Sequence, residues 1–379
     1  MPILQGLAKI WREIKRPFRK LLRRRVRNVL MGEGAYQIST PIHASALISS
    51  SYKIQSPTQE SSVEDEFVHM YGIIDYAEGF KRYFLSTNMP EKIATLKRGL
   101  DKKSQNNIDI YLERMLMIPD ARYYNCFKIS KAFIEAIYTP EEKQWQRDFA
   151  DHLAQYKKEF YLEGEGYYGP TTFLFHNGLS LTSEKLKAYI AQGDFIDGGA
   201  FVGDSSILFA RYYNPRRIYA FEISENNRKG FLKIMEANGV STDKYELVPL
   251  GLSDTHKTIY INDTGHHGTT TLWTGDTRVD LIDLDSYVQE KKLNVKYIKT
   301  DLEGAGYDAL KGMLETIKKD RPVLSLAIYH TPQEFFEMKP LLEKTVRDLN
   351  YKITIQRFSP FLQYLAEIMI FAYPKELEN

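Results

Sequence analysis

From about residue 190 the chain alternates short β-rich runs with helical stretches, a pattern that few folds accept. The runs are DFIDGG, RIYAFEIS, YELVPLGLS, VKYIKTDLEG and PVLSLAIYH. The stretches SSILFARYY, ENNRKGFLKIMEANG, AGYDALKGMLETIKKD and QEFFEMKPLLEKTVRDLN lie between or after them. Such alternation predicts a parallel sheet covered on both faces by helices. YKITIQRF and EIMIFAYP follow with no helix between them and predict an antiparallel hairpin at the sheet end. The segment KTIYINDTGHHGTTTLWTGDTRVDLIDLDSYV is long for a connection and predicts a hairpin of its own.

Upstream, residues 66–165 have helical spacing. IDIYLERMLMIPD ends at a proline, and TPEEKQWQRDFADHLAQYKKEFYL opens with Thr139 as N-cap, Pro140 at the first helical position and acidic residues in the first turn. Residues 31–65 are rich in Ser, Thr, Gly, Pro and Gln and read as a linker. Residues 1–30 hold ten Lys/Arg and one Glu; their net +9, set against +2 for the whole chain, leaves −7 for the rest. Their apolar residues fall at helical spacing. This describes a basic amphipathic segment that lies on an anionic membrane surface, stays solvated, or docks on its own protein or a second subunit.

Composition narrows the class. At 43% hydrophobic and 26% charged the chain has material for a buried core. No apolar stretch reaches the ~18–20 residues of a spanning helix, and the N-terminus is a poor signal peptide. Cys126 is the lone cysteine, so no intrachain disulfide is available, and no Cys/His cluster has zinc spacing. These features point to a reducing, cytoplasmic location, peripheral at the inner membrane face if the arm binds lipid. Nucleic acid is disfavoured, because no readout motif accompanies the basic arm.

The stretch DFIDGGAFVGDSS, residues 194–206, ends the first predicted strand. Ligands of open α/β sheets bind beyond such carboxyl ends. Gly198, Gly199 and Gly203 let backbone turn tightly and approach a ligand. The spacing does not match the dinucleotide fingerprint G-x-G-x-x-G, whose middle glycine is misplaced here. Asp197 and Asp204 suit a phosphate poorly and a cationic ligand well. S-adenosylmethionine is cationic and phosphate-free, and carries two ribose hydroxyls. Glu222, at the end of IYAFEIS and about 20 residues past the turn, is placed to accept from both hydroxyls.

Here the sequence resembles the FkbM-type S-adenosylmethionine-dependent methyltransferases. The matching pieces are FIDGGAFVGDSS, IYAFEIS, LGLSD, VDLIDLDSYV, IKTDLEGAGYDALKGM and LSLAIYHTPQEF, in family order over about residues 172–375, with FLFHNGLSL resembling the lead-in. The resemblance implies an α/β, Rossmann-like class I methyltransferase domain with a seven-stranded, mostly parallel sheet. It implies cofactor contacts by Asp197, Gly199, Gly203 and Glu222; Gly198, Asp204 and Ser253 are further candidates for cofactor binding. The division expected is a basic arm (1–34), a mainly helical accessory region (35–171) and the methyltransferase domain (172–379). The family reads Glu-Gly-Ala-Glu after the fourth strand. This chain has EGAG, so Gly306 replaces the second carboxylate, whose role is either missing or supplied elsewhere.

Methyl transfer to an alcohol requires alignment of the acceptor and removal of its proton. Lys299, Asp301 and Glu303 share one face of the fourth predicted strand by two-residue periodicity. Asp301 and Glu303 are placed to hold the acceptor, act as base or bind Mg²⁺, with Lys299 as their ion-pair partner. A salt-bridge network at a strand end is the structural alternative. His330, at the neighbouring strand terminus, is a candidate neutral base. His266 and His267, on a glycine-flexed loop, suit a flap over the acceptor or a plain surface loop better than a zinc site. The expected activity is O-methylation of a glycan, glycolipid or secondary-metabolite hydroxyl. The alternatives are a non-catalytic scaffold and, less in keeping with the glycines, a nicotinamide-dependent oxidoreductase.

Overall fold

The computed structural model describes residues 67–70, 79–80, 82–84, 88–117, 127–130, 138–164, 167–261, 263, 275–358 and 367–378. The basic arm, Cys126, His266 and His267 lie outside the described residues. In chain order, β1 (Phe67–Met70) and β2 (Phe127–Ser130) form a two-stranded antiparallel ribbon within a region expected to be mainly helical. The remaining strands are β3 (Asp194–Gly198), β4 (Arg217–Phe221), β5 (Tyr245–Val248), β6 (Gly251–Ser253), β7 (Lys257–Ile261), β8 (Thr277–Asp283), β9 (Val295–Thr300), β10 (Val323–Ala327), β11 (Tyr351–Arg357) and β12 (Ile368–Pro374).

Seven of these strands form one sheet in the order β11-β12-β10-β9-β3-β4-β5. β12 runs antiparallel to both of its neighbours, while β10, β9, β3, β4 and β5 pair in parallel. Both faces of the parallel strands are covered, and every residue of β3 and of β10 is buried. The predicted terminal hairpin forms, with its second strand inserted between β10 and β11. The predicted internal hairpin forms as β7 and β8, and β6 joins it in a three-stranded sheet. The run read as the single strand YELVPLGLS is therefore split. Pro249 has no N–H to continue a ladder, and β5 and β6 go to different sheets.

One helix begins where the sequence places its cap. Thr139 Oγ1 accepts from the Glu142 N–H at 3.2 Å, and Glu142 Oε2 accepts from the Thr139 N–H at 2.8 Å, which starts the helix Pro140–Glu159. Glu142 is fully buried and does more than cap. Its carboxylate pairs with Arg114 at 2.6 and 2.7 Å, and with Arg357 on β11. Burial alone would raise its carboxyl. Hydrogen bonding and charge from Arg114, then Arg357, outweigh that and hold it down at about 2.

The helix Lys102–Met117 closes the open edge of β11. Ser104 Oγ accepts from the Ile355 N–H at 2.9 Å, and Asn107 Nδ2 donates to the Ile355 carbonyl at 2.8 Å. An edge strand whose outward groups are satisfied in this way offers less to a foreign strand. Tyr111 of the same helix stacks on Phe335 with ring centroids 4.8 Å apart. Phe80, Leu96, Ile108 and Tyr111 share one continuous core with Ile298, Leu326 and Phe335. The helices upstream of the sheet are packed on it rather than tethered to it.

Candidate active site

The carboxyl ends of β3, β4, β9 and β10, with the start of the reversed β12, form one edge. The glycine turn leaves β3 there and enters the helix Asp204–Tyr212. Gly199 has φ +74°, and a Cβ on it would lie 1.9 Å from the Asp301 carbonyl oxygen. Gly203 has φ +89°, and a Cβ there would lie 2.9 Å from the Phe231 ring. What comes too close for a side chain is therefore the protein itself, the β9 end on one side and a helix on the other. Left-handed backbone and tight internal packing both demand glycine.

Glu222 follows directly on β4 and is 7% exposed. Its Oε2 accepts from the Phe201 N–H at 2.9 Å and its Oε1 from the Ser224 N–H at 2.8 Å. Burial raises its carboxyl, and those two amides oppose the shift. The carboxylate thus bridges the glycine turn and the β4 end. Asp197 is fully buried; Ser206 Oγ donates to it at 2.7 Å and Lys299 Nζ at 3.1 Å. Lys299 Nζ also donates to the Gly199 carbonyl at 2.8 Å. Lys299 is therefore the partner of Asp197, not of the Asp301–Glu303 pair, because its side chain turns under the glycine loop.

Asp204 accepts from Thr172 Oγ1 at 3.0 Å, and burial raises its carboxyl. Ser253 lies in the smaller sheet, where its hydroxyl donates to Asp254 at 3.2 Å and its carbonyl lies 2.0 Å from where a Gly312 Cβ would be. No hydrogen bond joins it to the glycine turn among the described residues.

β9 ends at Thr300, so Asp301 and Glu303 lie in the following turn rather than on one strand face, and Glu303 has φ +49°. Both still converge on His330. Its Nε2 lies 3.2 Å from Asp301 Oδ1 and 3.5 Å from Glu303 Oε2, and its Nδ1 lies 3.4 Å from Glu334 Oε2. Burial pushes the His330 imidazolium down. Hydrogen bonding to Asp301 and Glu334, with the charges of Asp301 and Glu303, lifts it to about 10. A neutral-imidazole base is thereby corrected: three carboxylates keep this ring charged. Asp301 also accepts from Tyr329 Oη, at 3.1 Å to each oxygen. Burial would raise its carboxyl, but His330 and then Lys299 keep it lowered.

This arrangement does not fit Mg²⁺. Asp301 and Glu303 face an imidazolium that a divalent cation would have to displace, and no group of three or more His, Cys, Asp or Glu suited to a metal occurs among the described residues. The carboxylate absent at Gly306 has a neighbour in its place. Glu334 accepts from the Gly306 N–H at 2.8 Å, and its Oε1 would lie 2.7 Å from a Gly306 Cβ. A longer side chain at 306 and the Glu334 carboxylate would compete for one space.

One acidic residue at this edge escapes sequence reasoning. Glu367, the first residue of EIMIFAYP, sits at the start of β12, and Thr171 Oγ1 donates to its carboxylate. β12 runs against the other strands, so its beginning lies where their ends lie. The strand reversal is the only signal that could have pointed to it.

Residues 197–353 match the family model described as methyltransferase FkbM domain. Over that stretch the chain is similar to an FkbM methyltransferase domain. The chain is similar in fold to the crystal structure of methyltransferase FkbM from Methylobacillus flagellatus KT, with 16% identity, a TM-score of 0.50 and cover of 79% of this chain and 61% of that one. The chain thus spans about three fifths of the length of that protein, as the 61% cover gives. An rRNA methylase from Streptococcus thermophilus aligns at 15% identity and a TM-score of 0.31, over 51% of this chain and 92% of that one. No curated protein sequence matches. The similarity agrees with the seven-stranded, mostly parallel sheet.

Proposed function

We propose that this protein transfers the methyl group of S-adenosylmethionine to a hydroxyl of a glycan, glycolipid or secondary-metabolite acceptor. The observation that carries the reading is the join between the glycine turn and Glu222, at the edge where the FkbM domain match begins. Asp204 and Glu222 give this edge carboxylates beside the Asp197–Lys299 pair, which suits a cationic nucleoside better than the pyrophosphate of a nicotinamide dinucleotide. When bound, S-adenosylmethionine supplies a methyl carbon activated by a sulfonium. Glu222 would hold the ribose hydroxyls, and Gly198, Gly199 and Gly203 would shape the turn around the cofactor. The His330 imidazolium would fix the Asp301 and Glu303 carboxylates toward the acceptor, and the same carboxylates would receive its hydroxyls.

Residues 1–34, 35–171 and 172–379 are proposed as arm, accessory region and catalytic domain, with the arm on the anionic inner face of a membrane and the protein in the cytoplasm. Among the described residues no helix is long and apolar enough to cross a membrane. Deleting residues 1–30 should lower binding to anionic liposomes; unchanged binding rejects the membrane role.

The deciding experiment is calorimetry with S-adenosylmethionine, S-adenosylhomocysteine and NAD. It is joined to a methyl-label transfer assay over nucleotide sugars, glycolipids and polysaccharide, with and without chelator. Binding of the first two ligands and label in an acceptor are expected. NAD binding alone, or no ligand bound, overturns the reading.

A further inference from the structure

Two of the described helices begin with a reciprocal cap, and in both the capping glutamate is fully buried. Glu142 has Arg114 and Arg357 to meet its charge. Glu334 caps the helix Pro332–Thr345. Its Oε2 accepts from the Thr331 N–H at 3.1 Å, and its own N–H donates to Thr331 Oγ1 at 3.1 Å. Capping asks for no more than this and can be done by a glutamate that stays in water. A buried carboxylate is costly unless a cation and hydrogen bonds meet it. Among the described residues the ion-pair partner of Glu334 is His330, whose Nδ1 lies 3.4 Å from Oε2. Its other oxygen, Oε1, accepts from the Gly306 N–H at 2.8 Å, in space that a Cβ at 306 would enter to within 2.7 Å.

We infer that Glu334 is a positioning residue of this site: it holds the His330 ring with Nδ1 turned to the helix and Nε2 turned to Asp301 and Glu303. Its consequence for the acceptor rests on the methyltransferase reading above. The two ring nitrogens have different partners, and the bond made by one sets what the other presents. Nε2 lies 3.2 Å from Asp301 Oδ1 and 3.5 Å from Glu303 Oε2, on the side away from Glu334. Position 306 is part of the device. Bare of a side chain, it leaves room for Oε1, and its N–H fixes that oxygen. Glu334 thereby ties the helix to the turn after β9 and to the ring beyond β10.

Four segments surround the ring. Asp301 and Glu303 face it from the turn after β9, Glu334 from the helix, and Tyr329 lies beside it with ring centroids 3.9 Å apart. Glu367, at the start of β12, is within electrostatic reach. A neutral side chain at 334 would leave the two carboxylates at Nε2 and none at Nδ1. The imidazolium would then lose one of its three adjacent charges, and its proton would leave at lower pH. The ring would also lose the contact that fixes which nitrogen points to Asp301 and Glu303.

The test uses the full chain with ¹⁵N-labelled histidine, the His330 signal being the one missing from H330N. In the wild type the ring should stay doubly protonated through neutral pH. In E334Q, which keeps the size of the side chain and one oxygen, its midpoint should fall by about 1–3 pH units, the span that one adjacent opposite charge commands. A role limited to capping would lower the denaturant midpoint and leave the His330 titration where it was. G306A keeps the carboxylate but takes its space, and should move the His330 signal in the same direction; it carries the test if E334Q does not fold. With the acceptor found by the transfer panel, E334Q should lose about 100-fold in kcat/KM for that acceptor, the scale of a misplaced reacting group. Its S-adenosylhomocysteine affinity should stay within twofold. A wild-type ring that titrates near the ordinary 6.5, or a titration unmoved in the folded variants, overturns the inference. A moved titration with wild-type transfer by E334Q overturns the role in transfer. A wild-type chain that neither binds S-adenosylhomocysteine nor transfers overturns the methyltransferase reading, and the His330 titration still judges Glu334.

Discussion

The Phe201 N–H donates to Glu222 Oε2 across 2.9 Å, so the glycine turn after β3 and the end of β4 are held as one piece. Replacing Glu222 with Ala removes that acceptor and the one for Ser224, leaving two amides without their partner. Leaving such groups unsatisfied costs about 1–3 kcal/mol. Glu222→Ala should bind S-adenosylhomocysteine about tenfold more weakly or worse, as read by calorimetry. Wild-type affinity would show that this carboxylate does not shape the nucleoside site.

Gly199→Ala tests the turn from inside. The added methyl would meet the Asp301 carbonyl at 1.9 Å in a left-handed backbone. The conformation alone costs about 1–3 kcal/mol, and the clash adds to it. A lower denaturant midpoint is expected, whereas an unchanged midpoint would mean the β9 end yields freely.

Glu142 links the upstream helices to the edge strand through Arg114 and Arg357. Glu142→Ala leaves both guanidinium groups without their buried carboxylate and should destabilise the fold by about 3–5 kcal/mol in chemical denaturation. The acid dependence has a definite sign. The folded carboxyl, at about 2, lies below its ordinary 4.5. Its contribution is full above 4.5 and is lost as pH falls from 4.5 through 2. The stability gap between wild type and variant should narrow in that window and hold steady above it.

His330 behaves in the opposite sense. Its folded value of about 10 lies above the ordinary 6.5. The imidazolium therefore contributes fully below 6.5, and the contribution is lost as pH rises through 10. His330→Asn should be most destabilising near pH 6 and least near pH 10, in denaturant midpoints measured at both. A gap that widens with pH would reject a charged ring among Asp301, Glu303 and Glu334.

Much of this molecule is legible along the chain because the signals are local. Short β-rich runs between helical stretches set the parallel strands, Thr139 and Pro140 set a helix start, and a carboxylate after a strand set the place of Glu222. The site was less legible wherever a residue takes its character from distant neighbours. The charge of His330 depends on Asp301, Glu303 and Glu334, which reach it from two segments. Lys299 goes to Asp197 because neighbouring parallel strands pair Asp197 with Lys299 in register. Glu367 joins the edge through the reversal of β12.

Read alone, the order of residues settles the element types, the glycine turn and the carboxylate one strand away, since periodicity, capping and backbone sterics act over a few positions. Folding settles which side chains become partners, and hence which are charged. Burial and Coulomb interactions depend on distances through space, and residues 142 and 357 become close only when helix and edge strand meet.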